Sequence, residues 1–169
     1  PLLVIADEIE AQALQFLVVN KIRANFPFVA VKAPSFGDRR RQMMEDIAIA
    51  TNGVLISDDL GVHIKEITLD YLGSADKIVI TNDSTTIING HGNPEEIADR
   101  IHQIKEEQKK AQYDWEAQQL QERLAKLIGG ISVIKVGAVT ESELKEKKDR
   151  IDDSLNATRA ALKAGVVAG

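Results

Sequence analysis

The hydrophobic positions of this chain change their spacing several times, and each change predicts a new element of secondary structure. The runs LLVIA at residues 2–6 and FVAVKAP at residues 28–34 are short and apolar, as in buried strands. Between them, residues 9–26 carry apolar side chains at helical spacing. A strand, a helix and a second strand in this order predict a βαβ unit with parallel strands.

The middle of the chain continues this alternation and then departs from it. Residues 37–51 predict a helix and GVLIS at residues 53–57 a further strand, which together indicate a mostly parallel sheet. Residues 76–90 contain two β-rich runs separated by Asn82 and Asp83, a pattern typical of a hairpin. The polar stretch from Pro94 to Leu127 predicts two helices or one broken helix.

Near residues 129–131 the polar, helix-favouring sequence ends at two glycines and a β-like run begins, which predicts a domain boundary. ISVIKVG at residues 131–137 has the composition of a strand, and a long helix follows it. Thr140 and Glu143 have the spacing of a capping box at the start of that helix. Its apolar side chains form a narrow seam, which suits a helix lying on a neighbour's surface. The chain is therefore predicted to be an α/β protein of βα layers with a mostly parallel sheet and a hairpin, followed by a strand and a long helix.

The predicted helix at residues 9–26 is apolar on two sides. One cluster, which we expect to pack on the core, comprises Ile9, Ala13, Phe16 and Leu17. The roughly opposite cluster comprises Ala11, Leu14, Val18 and Ile22, and Val19 lies between the two. From the pattern alone, the second side is either buried as well, since helices that are apolar all round are commonly interior, or it is exposed for a partner.

Composition narrows the classes of protein to consider. The chain has 169 residues, 44% of them hydrophobic, so it is long enough to bury a core. A net charge of −5 and an aromatic content of 4% disfavour nucleic acid as a partner. The chain has no cysteine, which excludes disulfides and is consistent with a reducing compartment. No apolar run is long enough to span a bilayer, so we expect no membrane contact.

The sequence contains few candidate catalytic or ligand-binding motifs. The turn after the first strand is acidic, with Asp7, Glu8 and Glu10, and lacks the glycines that a dinucleotide pyrophosphate requires. The three histidines have no metal-ligand spacing, so no metal site is predicted. The basic run DRRR at residues 38–41, followed by Glu45 and Asp46, is interpreted as a solvated helix face, and Asp58 and Asp59 as part of a polar loop. By spacing alone, Asp153 is an ordinary exposed acid that points away from the helix seam.

Several strings carry a resemblance to a known family along the whole chain. VVNKIR, VKAPSFGDRRRQMMEDIA, DSTTIING, QERLAKLIGGISVIKVGA and TESELKEKKDRIDDSLNATRAALKAGVVAG closely resemble the group I (GroEL-type) chaperonins of bacteria, mitochondria and chloroplasts. Ser35 and Asn52 stand where that family often has glycine, and Pro27 is unusual there. These departures fall in turns and affect the expected loop geometry, not the assignment.

The resemblance implies that the chain is a segment of a longer protein, with no Met at its start. Residues 1–130 would be the C-terminal part of the apical domain, which binds polypeptides. Residues 131–164 would be the returning segment of the intermediate domain, and residues 165–169 the start of the equatorial domain.

Functional residues can be carried over from the family position by position. Leu14, Val18 and Val19 match apical residues that bind non-native polypeptide and the mobile loop of a GroES-type co-chaperonin. Asn20 and Ile22 are expected to be their neighbours in the same groove. The resemblance thus favours an exposed second side for the helix at residues 9–26.

Three further positions match residues that serve the ATPase cycle of the family. Asp153 matches the residue that assists the attack of water on the γ-phosphate of ATP. Glu141 matches a residue that pairs with a neighbouring subunit. Gly169 lies at the edge of a glycine-rich segment near the nucleotide.

The implied function is that of an ATP-hydrolysing folding chaperonin that works as a double heptameric ring. ATP and magnesium would bind the full-length protein, whereas the segment alone is expected to hold neither and not to be catalytic. A bacterial cytoplasmic location is expected, with the mitochondrial matrix or chloroplast stroma as alternatives. A different function stays open: a free-standing module that binds polypeptides through its apolar helix without ATP.

Overall fold

The computed structural model describes residues 1–129, 134 and 136–166, with the backbone alone at residues 159 and 163. The chain divides into two units, Pro1–Gly130 and Ile131–Gly169. The helices and strands of the first unit are β1 (Leu2–Ala6), α1 (Ala11–Ala24), β2 (Phe28–Lys32), α2 (Gly37–Thr51), β3 (Ala75–Ile80), β4 (Thr85–Gly90), α3 (Pro94–Lys110) and α4 (Asp114–Ile128). The second unit contains α5 (Glu141–Ala164).

The predicted βαβ unit is confirmed. Strands β1 and β2 pair in parallel with Leu2 opposite Phe28 and Ala6 opposite Lys32, and α1 connects them. The amide of Ala33 extends the ladder by donating to the carbonyl of Ala6 at 2.7 Å. Phe28 and Ala33 are buried, which explains why this run is apolar.

The mixed α/β class is confirmed, but the third parallel strand at residues 53–57 is wrong. In the described part of the chain the strands form two separate two-stranded sheets, β1 with β2 and β3 with β4. The amide of Val54 donates to the carbonyl of Tyr71 at 3.0 Å, an isolated bond in place of a ladder. Three short 3₁₀ turns, at residues 58–60, 64–66 and 69–71, follow the segment. Apolar composition alone makes a strand only where a neighbouring strand is available to pair with it.

The predicted hairpin is confirmed as the antiparallel pair β3 and β4. Ile80 lies opposite Thr85, and the turn between them is closed by the amide of Thr81, which donates to the carbonyl of Ser84 at 2.8 Å. The far end of β4 packs closely on the end of α2. A Cβ atom at Gly90 would lie 2.1 Å from the carbonyl oxygen of Ala50, so this position requires glycine.

The polar stretch after the hairpin forms two helices, α3 and α4. Helix α3 begins at a local signal, because Asn93 accepts a hydrogen bond from the amide of Glu95 at 2.9 Å and Pro94 occupies the first turn. Ile104 of α3 is fully buried and packs with Leu120 and Leu124 of α4. This cluster is the core between the two helices.

A buried ionic cluster joins α2 to α3 and α4 through Asp46, an acid that follows the basic run interpreted from the sequence as a solvated face. Asp46 is 7% exposed, and its two carboxylate oxygens each accept a 2.7 Å hydrogen bond, one from Arg100 Nε and one from Arg123 Nε. Arg100 also donates to Glu45 at 2.9 Å, and Arg123 to Gln42 at 2.9 Å. Burial alone would lower the pKa of Arg100, but the hydrogen bonds and charge of Asp46, then of Glu45, raise that pKa above its ordinary value.

The basic run on α2 is not only a solvated face, because one of its arginines, Arg40, forms an ion pair and hydrogen bonds. Arg40 forms an ion pair with Asp7 and donates twice to the carbonyl of Ser35, at 3.0 and 2.9 Å. Ser35 has a φ of +64°, in the left-handed region, and Asn52 at the end of α2 has a φ of +60°. Both positions therefore have the backbone conformation that favours glycine.

The long helix of the second unit starts as its sequence predicts. Thr140 Oγ1 accepts a hydrogen bond from the amide of Glu143 at 3.2 Å. The Glu143 carboxylate reaches back to the amide of Val139 at 3.3 Å, one residue earlier than in an ideal capping box. Most of the strand predicted at residues 131–137 lies outside the described residues.

Candidate functional site

Helix α1 exposes most of its apolar side chains. The residues Leu14, Val18 and Ile22 follow one another at positions i, i+4 and i+8, and are 47%, 46% and 76% exposed. At 1.5 Å per residue this row is about 12 Å long. Val19, at 39% exposed, lies beside it. We call these four residues the α1 apolar surface.

The prediction that Phe16 packs on the core is wrong, because this ring is 68% exposed. Helix α1 has no buried residue, and within it only Leu17 and Asn20 are partly buried. The face of α1 that packs against the rest of the unit is therefore narrower than the apolar pattern predicted. Phe16 lies to one side of it and extends the exposed apolar area of the helix.

Asn20 has a local role beside its expected place in the groove. Its side-chain amide donates to the carbonyl of Phe16, one turn earlier, at 2.8 Å. The helix then ends at Asn25, whose φ of +49° is left-handed. Lys21 and Arg23 occupy the last turn, where cations suit the helix dipole. The α1 apolar surface is thus part of a locally well-formed helix.

A row of exposed aliphatic side chains on a helix is suited to recognising apolar polypeptide segments. Such a surface offers little directional hydrogen bonding, so it discriminates by hydrophobicity more than by sequence. The turn before α1 contains the exposed acids Asp7, Glu8 and Glu10, and α1 has no side-chain N-cap. These carboxylates would repel a phosphate at this helix N-terminus.

The residues matched to the ATPase cycle lie on α5 or beyond the described chain. Asp153 and Glu141 are both exposed on α5, separated along the helix axis by about 18 Å. By helical geometry Asp153 falls on the opposite side of α5 from Ile151. Gly169 lies outside the described residues. The structure therefore brings together the α1 residues on one helix and places Asp153 and Glu141 on another.

Among the described residues there is neither a candidate metal site nor a candidate membrane span. The described residues include no group of three or more His, Cys, Asp or Glu side chains that could hold a metal ion. His63 instead bonds Asp58 at 2.9 Å between Nδ1 and Oδ1. In the part of the chain that the structure describes, no helix is long and apolar enough to cross a bilayer.

Sequence reasoning missed the cluster of Asp46, Arg100 and Arg123. Arg100 lies 54 positions after Asp46 and Arg123 lies 77 positions after it, so no local spacing connects the three residues. One weak signal was available, since Asp46 lies among the apolar residues Met43, Met44 and Ile47 of α2.

The chain is similar to known proteins in both its sequence and its fold. A sequence model of the TCP-1/cpn60 chaperonin family matches residues 1–169. The chain therefore belongs to the TCP-1/cpn60 chaperonin family. Among solved structures, it is similar to the chaperonin gp146 from the bacteriophage EL 2 (Pseudomonas aeruginosa), crystallised in the presence of ATP-BeFx, with a TM-score of 0.69 and 24% sequence identity. The match covers 100% of this chain and 33% of the phage chaperonin, so the chain spans about a third of that protein's length.

Proposed function

We propose that this chain supplies the polypeptide-capturing surface of an ATP-driven, group I type folding chaperonin. The observation that carries the proposal is the α1 apolar surface, where Leu14, Val18 and Ile22 are exposed in one row. Membership of the chaperonin family gives this surface a purpose, because a folding chaperone binds clients whose shared property is misplaced apolar area. A GroES-type co-chaperonin would use the same groove.

Two matched variants can show whether polypeptide binding depends on the α1 apolar surface or on any exposed apolar residues of the first unit. The test variant replaces Leu14, Val18 and Ile22 by Ser together. The control variant replaces three apolar residues of the same types and nearly equal exposure elsewhere in the first unit, Leu60 (45%), Val54 (45%) and Ile64 (77%). Both variants lose the same side-chain chemistry, and only their positions differ.

Binding is measured with a reduced, carboxymethylated and fluorescently labelled polypeptide that cannot fold. We expect the test variant of the full-length protein to bind it at least about tenfold more weakly, and the control variant to bind as the wild type does. Binding of a co-chaperonin loop peptide should weaken in parallel. Equal losses in the two triple variants would show that α1 is not a dedicated surface, and the proposal would then fail.

The proposed function also assigns a role in ATP hydrolysis to Asp153. The acidic turn before α1 does not suit a phosphate, so in this proposal ATP and Mg²⁺ are held by other parts of the full-length protein. Asp153 contributes an exposed carboxylate that can orient or deprotonate a water molecule. Its neighbour Asp152 is also exposed but projects about 100° away around α5.

Replacing each acid by Ala in the full-length protein tests this assignment. We expect Asp153→Ala to retain ATP binding and to lower the hydrolysis rate by roughly two orders of magnitude or more, as for loss of a general base. Asp152→Ala serves as the control and should stay within about twofold of the wild type. If the two variants hydrolyse ATP equally fast, Asp153 is an ordinary surface acid.

Ring assembly is the remaining part of the proposal. Glu141 stands exposed in the first turn of α5, where a carboxylate is available for a neighbouring subunit. Glu141→Gln should leave a double heptameric ring intact and reduce the cooperativity of its ATP hydrolysis. The alternative, a module that binds polypeptides without ATP, would be supported if client release from the full-length protein were unaffected by ATP.

A further inference from the structure

Three side chains at the open end of the β3–β4 hairpin form a continuous chain of hydroxyl, imidazole and carboxylate. Ser74 Oγ lies 3.0 Å from His91 Nδ1, and His91 Nε2 lies 2.9 Å from Asp76 Oδ1. The second oxygen of Asp76 accepts a hydrogen bond from the Asn89 side-chain amide at 3.0 Å. Ser74, Asp76 and His91 are all exposed, so a solute can reach them.

The backbone holds this arrangement from both sides of the hairpin. Ser74 immediately precedes β3 and His91 immediately follows β4, and the amide of His91 donates to the carbonyl of Ser74 at 2.9 Å. The amide of Ser74 donates in turn to the carbonyl of Thr51 at 2.7 Å, at the end of α2. The hydroxyl and the imidazole are therefore positioned by ladder geometry and not only by their own hydrogen bond.

The proton arrangement follows from the partners. The hydrogen bond from His91, followed by that from Asn89, holds the pKa of Asp76 below its ordinary value, so this carboxylate remains an acceptor. A carboxylate oxygen 2.9 Å from His91 Nε2 favours the tautomer with the proton on that nitrogen, and in this tautomer the lone pair of Nδ1 is directed at the Ser74 hydroxyl. Nucleophile, base and orienting acid are thus linked in the order that activates a serine, with the two imidazole nitrogens exchanged relative to the serine-protease triad, where Nε2 faces the serine.

A groove lies next to the nucleophile. It has a volume of ≈ 510 Å³, and both Ser74 and Asp76 are among the residues that line it. Its walls are largely aliphatic and include Leu2, Leu72 and Ile78. A short apolar acyl chain can lie in such a groove with its carbonyl group beside Ser74.

We propose that Ser74, His91 and Asp76 form an acyl-transfer site that hydrolyses activated esters of short apolar acids. Ser74 Oγ attacks the ester carbonyl carbon while His91 Nδ1 takes the hydroxyl proton. The bond between that carbon and the leaving oxygen breaks, and the leaving oxygen receives the proton from His91. Water then attacks the acyl group on Ser74 with His91 as base, which releases the carboxylic acid and restores the hydroxyl.

The substrate class is restricted by what surrounds the nucleophile. The Ser74 amide is already bonded to Thr51, so it does not serve an oxyanion on the carbonyl oxygen. Turnover should therefore be slow and limited to esters with good leaving groups, such as aryl esters.

A fluorophosphonate probe tests the nucleophile directly, because attack by Ser74 Oγ forms an O–P bond and expels fluoride. The full-length protein is treated with the probe, digested, and the adduct is located by mass spectrometry. We expect an adduct on Ser74 that is absent from Ser74→Ala. Ser84→Ala is the matched control, since Ser84 is an exposed serine whose hydroxyl bonds Thr81.

Hydrolysis of 4-nitrophenyl butyrate tests the base and the acid. His91→Gln and Asp76→Asn should each lower the Ser74-dependent rate at least about tenfold. His63→Gln is the control for background imidazole catalysis, because His63 also bonds a carboxylate, Asp58, and should leave the rate unchanged.

Circular dichroism checks that the hairpin variants keep their fold. Should one of them unfold, the adduct site on the wild-type protein decides the question alone. No adduct on Ser74 of the wild type, or a rate equally affected by His91→Gln and His63→Gln, would mean that the cluster only joins the ends of the hairpin.

Discussion

The buried ionic cluster makes Asp46 the residue whose loss should cost the first unit most. The carboxylate is the shared acceptor for Arg100 and Arg123, whose side chains are 10% and 4% exposed. Asp46→Ala removes it and leaves two guanidinium groups facing each other in a site that water can barely reach. Part of their hydrogen bonding survives, because Arg100 keeps Glu45 and Arg123 keeps Gln42.

The size of the effect follows from the burial of the partners. Removing one member of a buried ion pair typically destabilises a protein by about 3–5 kcal/mol, because the remaining charge stays buried without compensation. We expect a loss near the middle of that range, because two cations lose their shared partner while Arg100 keeps its ion pair with Glu45. A protein of ordinary stability has about 5–15 kcal/mol in total, so Asp46→Ala should leave the first unit marginally stable.

Urea denaturation followed by circular dichroism at 222 nm measures the change. With a slope of about 2 kcal/mol per molar urea, a loss of about 4 kcal/mol lowers the midpoint by about 2 M. Asp38→Ala is the control, because Asp38 lies in the first turn of the same helix and is exposed. Its loss removes only a favourable helix-dipole interaction of about 0.3–1 kcal/mol.

A double variant distinguishes a cluster from independent contacts. If the charges act on one another, Asp46→Ala combined with Arg123→Met should be less destabilising than the sum of the single changes, because the second change removes one of the unpaired charges. A midpoint for Asp46→Ala within 0.5 M of the Asp38→Ala midpoint, at about 2 kcal/mol per molar urea, would refute the reasoning that this cluster holds α2 to the helical layer.

Two further predictions concern the backbone and pH. Ser35→Gly should raise the free energy of unfolding by about 0.5–1 kcal/mol, measured by urea denaturation, because Ser35 has a φ of +64° that glycine adopts without strain; an unchanged or lower value would contradict this. Hydrogen bonds from His91 and Asn89 lower the pKa of Asp76 in the folded state below its ordinary value of 3.8. The ionised carboxylate therefore stabilises the fold above pH 3.8, and this stability is lost as the pH falls through the lowered pKa. In thermal melts, the advantage of the wild type over Asp76→Asn should therefore shrink as the pH falls from about 5 to below 3, and a constant difference would contradict the assignment.

Local signals in the sequence were sufficient for most of the elements. Apolar residues at helical spacing predicted α2, the pair Asn82 and Asp83 predicted the hairpin turn, and Thr140 with Glu143 predicted the start of α5. These features depend on residues a few positions apart, whose interaction is the same whatever the rest of the chain does. The membership of the chaperonin family was likewise predicted from contiguous strings.

Burial and pairing were decided only by the tertiary structure. The apolar run at residues 53–57 has the composition of a strand but meets no strand, and Phe16 has the spacing of a core residue but lies exposed. Asp46, which follows the basic run interpreted as a solvated face, is buried, because Arg100 and Arg123 reach it from helices more than 50 residues away. A periodic pattern records which side chains share a face, whereas the partner that covers the face comes from distant parts of the chain. The exposed row on α1 and the hydroxyl–imidazole–carboxylate chain at the hairpin therefore became visible only when the fold brought their surroundings together.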